Sequence, residues 1–236
     1  MRRIGLLGGM SWESTIEYYR IINEEVARRL GGVHSADIVM QSYDFQEVAD
    51  LMHAGRWDDV AAKLTATAES LIAAGAECML ICTNTVHNIA PKLESAISVP
   101  LLHIADAAGR ECTARGWSRV GLLGTAFTME YDFYRGRLAD AHGVEVCVPD
   151  EAERKEINRI IFEELVKGEL RDDSRATYLE AISRLQDNGA QAVVLGCTEI
   201  PLLVGPEHTD VPLLDTTRLH ALAAVEFALA GEGAAS

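Results

Sequence analysis

The chain has 236 residues, 48% of them hydrophobic, which is ample for one large domain or two small ones with a full core. Its 21 basic against 36 acidic residues give a formal charge of −15. That balance argues against nucleic acid or an anionic membrane as partner, because both need a clustered positive surface.

In chain order, Ile4–Leu7 is a short apolar run that reads as a buried strand. It opens into a Gly-rich turn, Gly8, Gly9 and Met10, followed by a predicted helix over Ser14–Leu30 that Gly31 stops. A second strand is expected at Ile38–Gln41, and Asp44 in "SYDF" reads as the start of a loop. A helix over Trp57–Ala74 ends at Gly75, a strand at Cys78–Ile81 follows, and Thr85–Ser95 reads as helix. Val120–Leu123 is the next strand, running into Gly124, Thr125 and Thr128. Helices are then expected at Tyr131–Ala141, Glu151–Val166 and Arg175–Asn188, with Gly168 and Gly189 as stops, before a strand at Ala192–Leu195. Apolar strands alternating with helices suit parallel sheets covered on both faces, so the fold class is α/β.

Three pairs of segments recur in the same order at nearly constant spacing. "IGLLGGMSWESTIEYYR" from Ile4 resembles "VGLLGTAFTMEYDFYR" from Val120. "GAECMLICTNT" (75–85) resembles "GAQAVVLGCTE" (189–199), and "VPLLHIADAAGREC" from Val99 resembles "VPLLDTTRLHALAA" from Val211. Ordered repetition of this kind indicates a duplicated supersecondary plan. We therefore expect two α/β domains with parallel-sheet cores related by a pseudo-twofold, one formed by 1–98 plus 212–236 and the other by 99–211. The tail after Val211 is expected to return to the first, and the terminal "GEGAAS" to be loose. Ligands of open parallel sheets bind beyond the carboxyl ends of the strands. Two such mouths facing each other would set positions 83 and 197 on opposite sides of one interdomain cleft.

The second pair holds a mismatch. Aligned without a gap, Cys82 falls opposite Gly196, and Cys197 falls opposite Thr83. Cys197 precedes "TEIPLL", where backbone N–H groups at a turn stabilise a thiolate or hold a carboxylate; otherwise it is one more buried apolar cysteine. Thr83 is too weak an acid to act as a general base near neutrality, but its hydroxyl suits a proton donor or a water-positioning group. Neighbouring residues of an extended strand face opposite ways, so Cys82 is expected to point away from the side that Thr83 faces.

These residues also carry a family resemblance. "GLLGGMSWEST" (5–15), "CTNTVH" (82–87), "LLGTAFTM" (122–129), "IIFEEL" (160–165) and "GCTEI" (196–200) resemble the cofactor-independent aspartate/glutamate racemases, whose relatives include glutamate and hydantoin racemases. Within that family the chain is most similar to enterobacterial broad-specificity racemases acting on L-aspartate and L-glutamate. The resemblance implies a thiol on each side of the cleft, with the second-half cysteine serving the L-enantiomer. Cys197 matches that second thiol, while Thr83 stands where the first should be. The implied pair is thus Cys197 and Thr83, with proton abstraction strong on one side and weak on the other.

For the substrate, Asn84, Thr85, Thr198 and Glu199 offer donors at the starts of turns, and Glu199 suits an ammonium group without needing to touch the sulfur. Met10, Thr125 and Thr128 belong to the two Gly-rich turns, whose glycines equally suit tight turns alone. His53, Arg56 and Lys167 are candidates by position for a distal carboxylate; His87 reads as a supporting, helix-surface or packing residue, and Trp12 as a pocket-mouth or packing residue. No Schiff-base lysine motif or metal-ligand spacing stands out, so neither cofactor nor metal is expected. The longest apolar runs, such as Ile200–Val204, fall far short of the about 20 residues of a membrane span, and the start lacks a cleavable signal pattern. Five cysteines without a framework spacing fit free thiols in a cytoplasmic setting. A homodimer is implied by analogy with the family. Two rival readings stay open: a carbanion-forming isomerase or decarboxylase of the same fold, and a non-catalytic amino-acid-binding protein.

Overall fold

Ile4–Gly8 is buried along its whole length and forms β1, the middle strand of a three-stranded parallel sheet in the order β2-β1-β3. The computed structural model describes residues 1–230, so the "GEGAAS" tail lies outside the described residues. After β1 come α1 (Trp12–Leu30), β2 (Ile38–Ser42), α2 (Phe45–His53), α3 (Trp57–Ala73) and β3 (Cys78–Ile81). A 3-10 turn over Thr85–Ile89 then leads into α4 (Ala90–Ala96). The single helix expected over Thr85–Ser95 is therefore two pieces. Pro91 sits in the first turn of α4, where its missing N–H is tolerated, and it cannot continue a helix from upstream. Asp44 does not open a loop; its side chain accepts from the Gln46 N–H and caps α2. β2 is a half-exposed edge strand, with Met40 open to solvent, rather than a fully buried one.

The remaining elements are α5 (Ile104–Arg115), β4 (Arg119–Gly124), α6 (Ala126–Glu130), α7 (Asp132–His142), β5 (Glu145–Cys147), α8 (Glu151–Glu163) and α9 (Asp172–Asp187). They are followed by β6 (Val193–Gly196), α10 (Ile200–Leu203), β7 (Leu213–Asp215) and α11 (Thr216–Leu229). These strands form a second parallel sheet in the order β5-β4-β6-β7. The contacts divide the described residues into two units, Ala105–Thr216 and 1–104 with 217–230. The crossings fall after residues 104 and 216, where 98 and 211 were expected, and at the second β7 pairs with β6 before the chain leaves the unit.

Each unit buries its sheet between helices. In the first, Ile4, Leu6, Cys78, Leu80 and Cys82 pack against α1 and α11, while Leu7, Met79 and Ile81 pack against α3 and α4 on the other face. In the second, Leu123, Val193 and Leu195 pack against α8 and α9. Strands apolar on both faces follow directly from this double cover.

The internal repeat is visible as matching ladder register. Gly5 pairs with Met79 in the first sheet, and Gly121 with Val193 in the second. The Met79 N–H donates to Pro100 O, and the Val193 N–H to Pro212 O, so both "VPLL" segments lie beside the cysteine-bearing strand. In the first unit that neighbour is reduced to a single bridge, Met79 to Leu101, where the second unit has β7. Carried two rungs on from the last shared pairs, Leu7 with Ile81 and Leu123 with Leu195, this register puts Thr83 and Cys197 at the same place in their respective units.

Candidate active site

In a parallel sheet wound outward both ways from its first strand, the crevice opens where the winding reverses. In the first unit that point lies between β1 and β3, and in the second between β4 and β6. The repeated motifs end at these two places.

In the second unit, Gly124 and Gly196 are register partners at the carboxyl ends of β4 and β6. A Cβ on Gly124 would stand 3.0 Å from Gly196 O, and one on Gly196 would stand 3.0 Å from Leu123 O and 3.1 Å from Thr128 Cγ2. Both positions need glycine because backbone approaches backbone. Thr125 caps α6 by accepting from the Thr128 N–H at 3.3 Å, and the two hydroxyls lie 3.2 Å apart. Their side chains are buried, and Asn158 on α8 completes the turn by accepting from the Ala126 N–H at 2.8 Å.

Cys197 follows Gly196 directly. Its Sγ donates to Glu199 Oε2 at 2.9 Å, and Thr198 Oγ1 donates to the same oxygen at 2.8 Å. Glu199 is therefore on the sulfur, a contact that the sequence left open. The chain turns immediately after β6, and that turn folds the i+2 carboxylate back over the thiol. Burial pushes the Cys197 thiol well above its ordinary value, and the Glu199 charge and hydrogen bond raise it further. The backbone N–H groups of Glu199 and Thr198 pull the other way. As built, Cys197 holds its proton and Glu199 waits beside it. Tyr178 of α9, fully buried beneath, donates to Ile157 O at 3.4 Å. At the back of β6, Thr216 Oγ1 donates to Leu195 O at 2.8 Å.

In the first unit, Gly9 adopts φ +84, and a Cβ there would run into the backbone of Tyr43. The Gly9 N–H donates to Thr15 Oγ1 at 2.7 Å, and Thr15 Oγ1 donates to Ser11 O at 2.9 Å. Ser11 caps α1 by accepting from the Ser14 N–H, the counterpart of Thr125 with Thr128. The Met10 side chain is buried in the core between β1 and α3.

After β3, Cys82 is fully buried against α1 and α11, and burial pushes its thiol up strongly. Thr83 is half-buried, its N–H bonded to Ile81 O at 2.9 Å and its carbonyl to His87 Nδ1 at 2.8 Å. Asn84 and Thr85 have buried side chains at the start of the 3-10 turn. His87 is not a surface residue but is wholly buried.

The candidates for a distal carboxylate are not part of either cluster: Arg56 pairs with Asp59 at 2.6 Å, and His53 and Lys167 are exposed at helix ends. Trp12 is exposed at the start of α1. Ser11, Thr15 and Asn158 were missed at the sequence level. Ser11 and Thr15 carried a signal, a capping serine with hydroxyl residues one turn on. Asn158 carried none, because its partner is a backbone N–H distant in sequence.

Among the described residues no group of three His, Cys, Asp or Glu side chains is arranged to hold a metal ion, and no helix is long and apolar enough to cross a membrane. All five cysteines are free thiols.

Two parallel sheets, each with a hydroxyl-lined glycine turn beside a Cys- or Thr-bearing turn at its strand ends, define the α/β class of this protein. The chain belongs to the Asp/Glu/hydantoin racemase family, whose model matches residues 7–224. Among solved structures it is similar to a candidate Asp/Glu racemase from Yersinia pestis, with 49% identity, TM-score 0.93 and coverage of 97% of this chain and 100% of that one. It is also similar to an aspartate racemase homologue from Pyrococcus horikoshii, with 33% identity, TM-score 0.84 and coverage of 97% and 99%. Glutamate racemase of Thermus thermophilus is 33% identical over 157 residues, 64% of this chain and 55% of that protein. The chain thus matches about half the length of that curated relative.

Proposed function

We propose that the protein is a cofactor-independent amino-acid racemase acting on L-aspartate, L-glutamate or both, with Cys197 and Thr83 serving opposite faces of one Cα. The observation that carries this reading is the contact of Cys197 with Glu199 at the β4/β6 winding reversal, with Thr83 at the matching rung of the first unit.

The chemistry follows from the charges. A part-buried thiol beside a carboxylate is a poor base while the site is empty. An α-ammonium group settling against Glu199 offsets its charge, and the Thr198 and Glu199 N–H groups then favour the thiolate. The thiolate takes the Cα proton of the L-enantiomer and becomes a thiol, leaving a carbanion. A proton delivered to the other face, from the Thr83 hydroxyl or a water it orients, gives the D-enantiomer. Water returns a proton to Thr83 and takes up the one that Cys197 gained from Cα, which regenerates the thiolate, so the reaction balances without an external reagent. Because a threonine hydroxyl ionises far less readily than a thiol, abstraction from D-substrate is slow, and by microscopic reversibility L-to-D conversion is slower than exchange within the L-pool.

The test is incubation of the pure protein with separate L- and D-aspartate and glutamate in D2O, followed by chiral chromatography and mass analysis. Deuterium at Cα of recovered L-substrate and of the D-product formed from it, with slow exchange of D-substrate, is the expected result. Equal exchange of both enantiomers would refute the Cys/Thr asymmetry. Loss of CO2 would favour a decarboxylase, and saturable binding without exchange a binding protein.

A further inference from the structure

Behind Thr83, three buried histidines meet inside the first unit: His87 from the 3-10 turn, His103 ahead of α5 and His220 from α11. The His87 ring lies 4.7 Å from that of His103 and 5.6 Å from that of His220, both in edge-on packing. Hydrogen-bond logic fixes two of the tautomers. The Ile104 N–H donates to His87 Nε2 at 3.3 Å, so Nδ1 carries the proton and donates to Thr83 O at 2.8 Å. Leu102 O accepts from His220 Nε2 at 2.6 Å, so His220 Nδ1 accepts from the Tyr18 hydroxyl at 2.7 Å.

We propose that His87 is a positioning residue for Thr83, its imidazole clamping the Thr83 carbonyl to the backbone of Ile104 and thereby setting the direction of the Thr83 hydroxyl. The inference rests on the racemase reading above. The Thr83 N–H is already spent on Ile81 O, so with the carbonyl also held, both backbone bonds of the residue are fixed and little freedom is left to the turn. The Tyr18–His220–Leu102 chain braces the same place from α11, and the packed rings keep His87 from swinging away. In this arrangement His87 touches neither substrate nor the reacting proton. Its effect falls on the Thr83 side alone.

That one-sidedness supplies the test. With L-substrate in D2O, two rates are read from each sample: conversion to D-product, which needs the Thr83 side, and deuterium gained within the recovered L-pool, which needs only Cys197. His87→Phe keeps a ring without either nitrogen. It is expected to slow conversion about 10- to 100-fold, the scale for a misplaced reacting group, while exchange in the L-pool stays within about 2-fold of wild type. His87→Gln offers an amide N–H to Thr83 O and a carbonyl to the Ile104 N–H, and it is expected to keep conversion within about 3-fold of wild type. Both rates falling together in a folded Phe variant, or conversion unchanged in it, would overturn the proposal. If the Phe variant fails to fold, the Gln variant decides: a large loss of conversion in a folded H87Q protein overturns it equally. Wild-type protein that shows neither rate sinks the racemase reading itself, a result plainly different from a His87 effect that fails to appear.

Discussion

Cys197 Sγ lies 2.9 Å from Glu199 Oε2, so the candidate base is bonded to a carboxylate that opposes its ionisation. Replacing Glu199 with Gln removes that negative charge and lowers the thiol pKa. Thiolate is the alkylating form, and it is scarce at any pH below a raised pKa. Glu199→Gln should therefore speed iodoacetamide labelling of Cys197 near neutral pH, roughly tenfold for each pKa unit recovered, while racemisation falls. Peptide mapping by mass spectrometry reads labelling at Cys197 apart from the buried Cys78, Cys82 and Cys112. Slower labelling would mean that Glu199 does not suppress the thiolate.

Thr83 occupies the first-unit rung that matches Cys197. Thr83→Cys should create deuterium exchange on D-aspartate or D-glutamate where wild type shows little, a gain of about 10²-fold or more, in line with adding a competent acid/base group. Thr83→Ala should lose conversion yet retain exchange within the L-pool.

Cys82 is the tempting alternative base, yet it is sealed in the core against α1 and α11. Cys82→Ala should leave both exchange rates near wild type and cost about 1 kcal/mol of stability, the scale of one buried methylene with its small cavity. Chemical denaturation measures the cost. A large loss of exchange in a folded C82A protein would move the chemistry to Cys82.

Gly9 holds φ +84 against the backbone of Tyr43, where a Cβ has no room to shift. Gly9→Ala should destabilise the protein by roughly 2 kcal/mol or more through strain and overpacking, visible as a lower thermal midpoint. An unchanged midpoint would show that this turn has another way to close.

The central strands were legible in the sequence because both of their faces are buried: β1, β3, β4 and β6 read as apolar runs that end in, or lead into, glycine or cysteine. Strands β5 and β7, three residues each, are too short to show a pattern, and β7 moved the second crossing past the expected boundary. Helix α2 was hidden because Asp44 caps as readily as it turns. The repeat pointed to Thr83 and Cys197 without any structure. The direction of Glu199 was not readable, since beyond the end of a strand the period-2 rule lapses and a turn decides where a side chain goes. For the same reason the burial of Met10 was not readable: it lies in the turn by sequence but in the core by side chain.

The doubled ladder has one more implication. If equivalent rungs of two copies hold the two reacting groups, enantiomer preference is not spread over the fold but is decided by which copy bears the sulfur. A gene duplication followed by one codon change then suffices to turn an even-handed catalyst into one that favours a single mirror form, with both cores left intact.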